Sequence, residues 1–240
     1  MIKTGNFVGV FCTLIFVALF VGCGEETVRE AFVTSTSAII AENYEQTSAT
    51  PEILYSPLAH ERFLKPLEDF SWEREYAPEY VMIHFTSAVV LSHDDPYNID
   101  SIRKIFTDNG ISIHYIIDRD GEVYCYIPET RAAWHAGKGS FAGDERLTNA
   151  MNKYSIGIEL VAIGSKNDMA QYLTTSEYKA LDKSLIGFTD AQYESLSTLV
   201  TDICERNDIQ FDRDHVIGHQ EYNMSKSDPG ELFDWNRLFE

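Results

Sequence analysis

Tyr80-Val81-Met82-Ile83-His84-Phe85 is apolar at almost every position, has the length of a strand, and ends in an imidazole. Such a run suits a strand buried on both faces, the kind found in parallel sheets. Downstream, Asn98 is a candidate N-cap for a helix with Ile99, Ile102, Ile105 and Phe106 on one side, closed at Asn109-Gly110. Residues 111–118 and 122–127 are β-rich runs joined around Asp120-Gly121, a strong hairpin dipeptide. Ser155-Ile156-Gly157-Ile158-Glu159-Leu160-Val161-Ala162 reads as another strand. Thr189 and Gln192 form a capping box that Phe188 and Tyr193 can staple, and Leu196, Leu199, Val200, Ile203 and Cys204 follow at helical spacing. A short strand at 215–218 and a helix at 232–239 complete the chain, with aperiodic loops at 138–153 and 163–187. Strands interleaved with helices, plus one hairpin, predict a single α/β domain with a mixed central β-sheet flanked by helices, spanning residues 78–240. No internal repeat is visible.

The N-terminus is of a different kind. Lys3 precedes an apolar run from Phe7 to Val21 that ends in Gly22-Cys23, which describes a secretory signal over residues 1–22 better than a spanning helix. Leu19-Phe20-Val21-Gly22-Cys23 resembles a bacterial lipobox, so Cys23 is the expected lipidated first residue, with an uncleaved anchor as the alternative. Residues 23–77 then read as a tether and N-terminal extension, rich in Glu, Ser, Thr and Ala; a flexible tether of about 30 residues reaches about 30 Å. The expectation is an exported protein held at a membrane of the cell envelope, the outer membrane and its periplasmic face, and monomeric. A formal charge of −19 argues against nucleic acid as a partner, since no basic footprint exists. Cys125 and Cys204 are either buried thiols or one disulfide.

The chemistry-bearing residues cluster late in the chain. In Gly218-His219-Gln220-Glu221-Tyr222-Asn223-Met224-Ser225-Lys226-Ser227-Asp228-Pro229-Gly230, His219 and Asp228 are metal-ligand types and Lys226 is an amine two residues from the carboxylate. A third ligand must come from elsewhere among seven histidines. His84 is the leading choice, because it stands where a buried strand runs out, and sites of open α/β sheets collect at such ends. The rival set joins His84 to His93, Asp94 and Asp95, a stretch that reads more readily as an acidic solvated loop than as a metal site. Glu159 interrupts an otherwise apolar strand. Buried, it needs a partner or a raised pKa, as suits a general base; alternation also allows it, with Ser155 and Gly157, on a solvated face. Trp134-His135-Ala136-Gly137 combines an aromatic face with an imidazole, suited to a cleft wall or simply to the core.

Taken in order, Ile83-His84-Phe85-Thr86, residues 114–121, Trp134-His135-Ala136-Gly137, Asn152 with residues 155–160, and Gly218-His219 through Lys226-Ser227-Asp228-Pro229-Gly230 resemble the type 2 N-acetylmuramoyl-L-alanine amidases, zinc enzymes related to the peptidoglycan recognition proteins. The resemblance covers about residues 78–238, and the lipobox likens the chain to the lipid-anchored envelope members. It implies Zn2+ on His84, His219 and Asp228, Glu159 as catalytic base, Lys226 beside the metal, and substrate contacts at Trp134, His135 and Asn152. The implied reaction cuts the amide between N-acetylmuramic acid and L-alanine in peptidoglycan or muropeptides. A non-catalytic peptidoglycan-binding module and a zinc peptidase acting within the stem peptide are the alternatives.

Overall fold

The computed structural model describes residues 55–239, so the signal-like segment 1–22, Cys23 and the tether up to residue 54 lie outside the described residues. Six strands form one sheet: β1 (His60–Glu61), β3 (Tyr80–Thr86), β4 (Tyr115–Ile117), β5 (Val123–Cys125), β7 (Ser155–Val161) and β8 (Val216–Gly218), in the order β1-β5-β4-β7-β3-β8. β4, β7, β3 and β8 run parallel, while β5 is antiparallel to β4 and β1 follows β5. β2 (Ser71–Glu73) and β6 (Arg131–Ala133) make a separate antiparallel ribbon. The sheet is mixed, as the hairpin and crossovers predict.

Register sorts the side chains into two faces, because residues paired across neighbouring strands point the same way. Val81, Ile83, Ile156, Ile158, Leu160, Tyr115, Ile117 and Val216 share one face and are all buried in a single apolar cluster. The long helix α4 (Asp190–Asn207) covers it with Tyr193, Leu196, Leu199, Val200, Ile203 and Cys204. Each such aliphatic side chain, fully buried, contributes about 1.5–3 kcal/mol. The helix starts where expected: Thr189 Oγ1 accepts from Gln192 N at 3.1 Å and Gln192 Oε1 accepts from Thr189 N at 3.0 Å. Phe188 packs edge-on to Tyr193 at 6.0 Å. Gly121 closes the β4–β5 hairpin with φ +87°, and a Cβ there would stand 2.8 Å from the Ala191 carbonyl at the start of α4. The opposite face carries Met82, His84, Gly157 and Glu159. On that side α2 (Ile99–Asn109), capped by Asn98 Oδ1 accepting from Ser101 N at 2.9 Å, brings Ile102 and Phe106 against Ile116 and Val161.

Three expectations need correcting, and one open alternative is decided. The fold extends upstream of residue 78: β1 pairs with β5, β2 pairs with β6, and the one-turn helix α1 (Leu67–Phe70) lies between them. Strands of two or three residues carry no readable period, so only their partners define them. The closing helix shrinks to one turn, α6 (Asn236–Phe239). Residues 163–187 are not an aperiodic loop. They hold α3 (Thr175–Ala180), started by a Thr174/Glu177 capping box, above a cluster of Val89, Ile163, Met169 and Leu173. Cys125 and Cys204 are free, buried thiols.

Glu129 is 6% exposed and neutralised by Arg206, whose two terminal nitrogens donate to its oxygens at 2.7 and 2.8 Å. Asn207 donates a further bond at 2.9 Å, and the Tyr115 hydroxyl donates another. The Ser56 amide donates to Tyr115 Oη at 2.8 Å, which ties the upstream segment to the sheet. Removing one partner of such a buried pair typically costs about 3–5 kcal/mol. No helix among the described residues is long and apolar enough to cross a membrane.

Candidate metal centre

His84 stands at the C-terminal end of β3 on the face turned away from α4, and the register sets it beside Glu159 of β7. β8 lies on the other side of β3, so the next residue after β8, His219, arrives within reach at the head of α5 (His219–Tyr222). Glu221 braces that turn: its Oε2 accepts from Gly218 N at 2.6 Å, and Arg213 holds the carboxylate at 2.9 Å. The chain then loops back, fastened where Gln220 N donates to Asp228 O at 3.0 Å. That closure delivers the Asp228 carboxylate to both rings.

His84 Nδ1 lies 2.7 Å from Asp228 Oδ2 and 3.1 Å from His219 Nδ1, and His219 Nδ1 lies 2.9 Å from the same oxygen. Among the described residues this is the one group of three or more ligand-type side chains whose donor atoms converge, all within 4.8 Å. His93, Asp94 and Asp95 form no such group with His84.

The residues fit a metal on their own chemistry. His219 Nε2 is 2.9 Å from the Ala136 carbonyl, which can only accept, so the hydrogen of a neutral ring sits there and the Nδ1 lone pair faces the site. Two imidazole nitrogens and one carboxylate oxygen are the donor set of an open three-ligand metal site. Burial pushes His84 down to about 4, which keeps the ring in its neutral, ligating form; the neighbouring Asp228 carboxylate opposes that shift and His219 adds to it. For Asp228 burial pulls upward, but the adjacent His219 and His84 rings outweigh it and hold the carboxyl below its ordinary range.

Glu159 Oε2 is a buried oxygen without a hydrogen-bond partner. Burial raises its pKa well above the ordinary value, the Asp228 charge raises it further, and Lys226 acts against both. The alternation that groups Glu159 with Ser155 and Gly157 holds: His135 covers Ser155 and Gly157, while Glu159 is half-buried with its Oε2 sealed from water. Lys226 is exposed on the loop before Asp228 and lines a cleft of about 390 Å³ together with Asp228, Phe85, Leu91, Met169 and Tyr172.

Of the three positions expected to meet substrate, Trp134 is 47% exposed and lies against Trp72, with ring centroids 4.1 Å apart. His135 and Asn152 are engaged within the protein: His135 Nδ1 is 3.0 Å from His84 Nε2 and its Nε2 is 3.2 Å from Ser155 Oγ. Asn152 Oδ1 accepts from the backbone amides of His135 and Ala136. Sequence reasoning missed Ser155, whose residue type gives no sign of its neighbour, and the cleft wall of Met169 and Tyr172. The Thr174-to-Glu177 spacing was the available signal that residues 163–187 are structured.

Residues 74–231 match the family described as N-acetylmuramoyl-L-alanine amidase. The 1,6-anhydro-N-acetylmuramyl-L-alanine amidase AmpD of Haemophilus influenzae is 34% identical over 128 residues, 53% of this chain and 56% of the relative. The N-acetylmuramoyl-L-alanine amidase AmiD of Escherichia coli is 30% identical over 159 residues, 62% of this chain and 51% of the relative. The chain thus spans about half the length of the curated relatives it matches. Among solved structures, a selenomethionine AmpD derivative superposes with a TM-score of 0.54 at 25% identity, covering 78% of this chain and 96% of that one. AmiD from E. coli in complex with the substrate anhydro-N-acetylmuramic acid-L-Ala-D-gamma-Glu-L-Lys gives 0.51 at 27% identity, covering 68% and 57%.

Proposed function

We propose, from the premise that this chain belongs to the N-acetylmuramoyl-L-alanine amidase family, that it hydrolyses the amide between N-acetylmuramic acid and L-alanine in muropeptides, using zinc. The observation that carries the reading is the partnerless Glu159 Oε2 beside three converging ligand atoms. Such a base has little purpose in a binding module. His84, His219 and Asp228 would hold zinc, which when bound supplies a Lewis acid for a carbonyl and acidifies water. Glu159 takes a proton from the attacking water as its oxygen bonds to the scissile carbon. It returns that proton to the alanine nitrogen as the C–N bond breaks. Its raised proton affinity in this buried setting suits both transfers. Lys226, whose charge acts on Glu159 and His84, offsets the negative charge that develops on the carbonyl oxygen.

The experiment is mass spectrometry of products from defined muropeptides, intact and 1,6-anhydro, with zinc, with chelator, and with zinc restored. Free stem peptide beginning at alanine is the expected product, lost with chelator and recovered with zinc. Muramic acid still attached to alanine would identify a peptidase, and binding without release would identify a module. Lys226→Ala is expected to keep its metal and lose about 10²–10³ in turnover, the usual cost of one oxyanion donor. Full turnover in that variant would remove Lys226 from the mechanism.

The same reading places the protein at the cell envelope, held by a lipid anchor, supported by the Leu19-to-Cys23 sequence and the polar tether behind it. Cys23→Ser is expected to abolish fatty-acid labelling and to move the protein to the soluble fraction; unchanged labelling would defeat the anchor.

A further inference from the structure

A neutral imidazole offers a metal its Nδ1 lone pair only while its hydrogen stays on Nε2, so each metal histidine needs an acceptor behind it. His219 has the Ala136 carbonyl, at 2.9 Å. Behind His84 stands another imidazole, His135 Nδ1 at 3.0 Å, which by itself could donate or accept. Ser155 decides between the two. Its hydroxyl donates to Met151 O at 2.8 Å, and a carbonyl only accepts. The oxygen of that hydroxyl therefore faces His135 Nε2, 3.2 Å away, with lone pairs, and the ring nitrogen must bring the hydrogen. Neutral His135 is then left with a lone pair at Nδ1 and accepts from His84. Donation runs in one direction, from His84 to His135 to Ser155 to the Met151 carbonyl, and it leaves His84 Nδ1 unprotonated toward Asp228.

Two residues hold this arrangement in place. Asn152 Oδ1 accepts from His135 N at 3.1 Å and from Ala136 N at 2.8 Å, which fixes the backbone that carries both acceptors. Gly157 lies against the His135 ring: a Cβ there would be 2.7 Å from Nδ1 and 2.8 Å from Cγ. Glycine inside a strand costs about 0.5–1 kcal/mol relative to alanine. Here it makes room for the ring.

We propose that His135 and Asn152 are positioning residues of the metal centre: one short loop, residues 134–137, presents an acceptor to Nε2–H of both metal histidines and so aims both Nδ1 lone pairs at the site. This rests on the metal reading of His84, His219 and Asp228. It gives the imidazole next to the exposed Trp134 a task distinct from touching substrate.

The test is zinc and cobalt affinity of the full chain, by competition with a chromophoric chelator, together with the visible spectrum of the cobalt form and a melt of the metal-free protein. His135→Leu removes the acceptor and is expected to weaken metal binding by about 10–100-fold, the range seen when an orienting partner of a ligand is lost. His135→Asn, whose Oδ1 falls near the place of Nδ1, is expected to restore most of that affinity and the wild-type cobalt spectrum, although it lacks the ring packing as well. Ser155→Ala, which frees the tautomer of His135, is expected to fall between. Wild-type affinity in His135→Leu, or equal weakening in the Leu and Asn variants, overturns the proposal. If His135→Leu does not fold, undiminished affinity in Ser155→Ala overturns it instead. A wild-type chain that takes up no metal defeats the reading of the site and this inference with it; a loaded wild type with unaffected variants defeats the inference alone.

Discussion

Glutamine in place of Glu159 is expected to lower turnover on a muropeptide amide by about 10²–10⁴ while metal content stays at the wild-type level. The substitution keeps the shape of the side chain and its place in β7 beside His84, and removes only the ability to accept a proton. A second effect has the opposite sign. Burial, then the Asp228 charge, raise the pKa of Glu159 in the metal-free protein well above its ordinary value, with Lys226 opposing. An acid whose folded pKa exceeds its unfolded one destabilises the fold above the unfolded pKa, and the penalty grows with pH until the folded pKa is reached. Below the unfolded pKa both states are protonated and the penalty vanishes. Chelator-treated Glu159→Gln is therefore expected to melt above wild type at neutral pH and level with it near pH 3. Wild-type turnover in the variant would refute the base assignment. A lower melting temperature at neutral pH would show that Glu159 is paired in a way its partnerless Oε2 does not suggest.

The parts of this molecule that could be read in advance are those where a residue violates a long pattern. β3 and β7 are seven residues each and α4 is eighteen, long enough for a period to emerge, so His84 and Glu159 stand out as polar interruptions. The capping box at Thr189 and the turn at Gly121 are local chemistry and appear where the sequence puts them. What stayed hidden depends on pairing or on the backbone. β1, β2 and β6 exist because partners lie beside them. Ala136 serves His219 through its carbonyl, which any residue possesses, and Ser155 polarises His135 from a position whose side chain looks like strand filler. His135 shows the cost of reading a motif by exposure. Next to a surface tryptophan it suggests a cleft wall, yet both ring nitrogens are already bonded inside the protein.

Asparagine at position 228 is expected to cost the site its metal, with a loss of affinity larger than the 10–100-fold typical of an orienting partner. Asp228 is the only anion of the three ligands, and one oxygen, Oδ2, lies 2.7 and 2.9 Å from the two Nδ1 atoms. An amide fills the same space but is neutral, and its NH2 can donate to the very lone pairs that a metal would use. The variant should therefore keep its metal-free fold while binding zinc poorly, and its product release should fall to that of chelated wild type. Metal analysis after dialysis and cobalt titration measure the first outcome, and the muropeptide assay measures the second. A third readout separates electrostatics from ligation. The Asp228 charge is one of the causes that raise Glu159, so in the metal-free Asn variant the Glu159 carboxyl should titrate lower than in metal-free wild type. Stoichiometric zinc in Asp228→Asn would remove Asp228 from the ligand set. An unmoved Glu159 titration would show instead that burial alone sets its proton affinity.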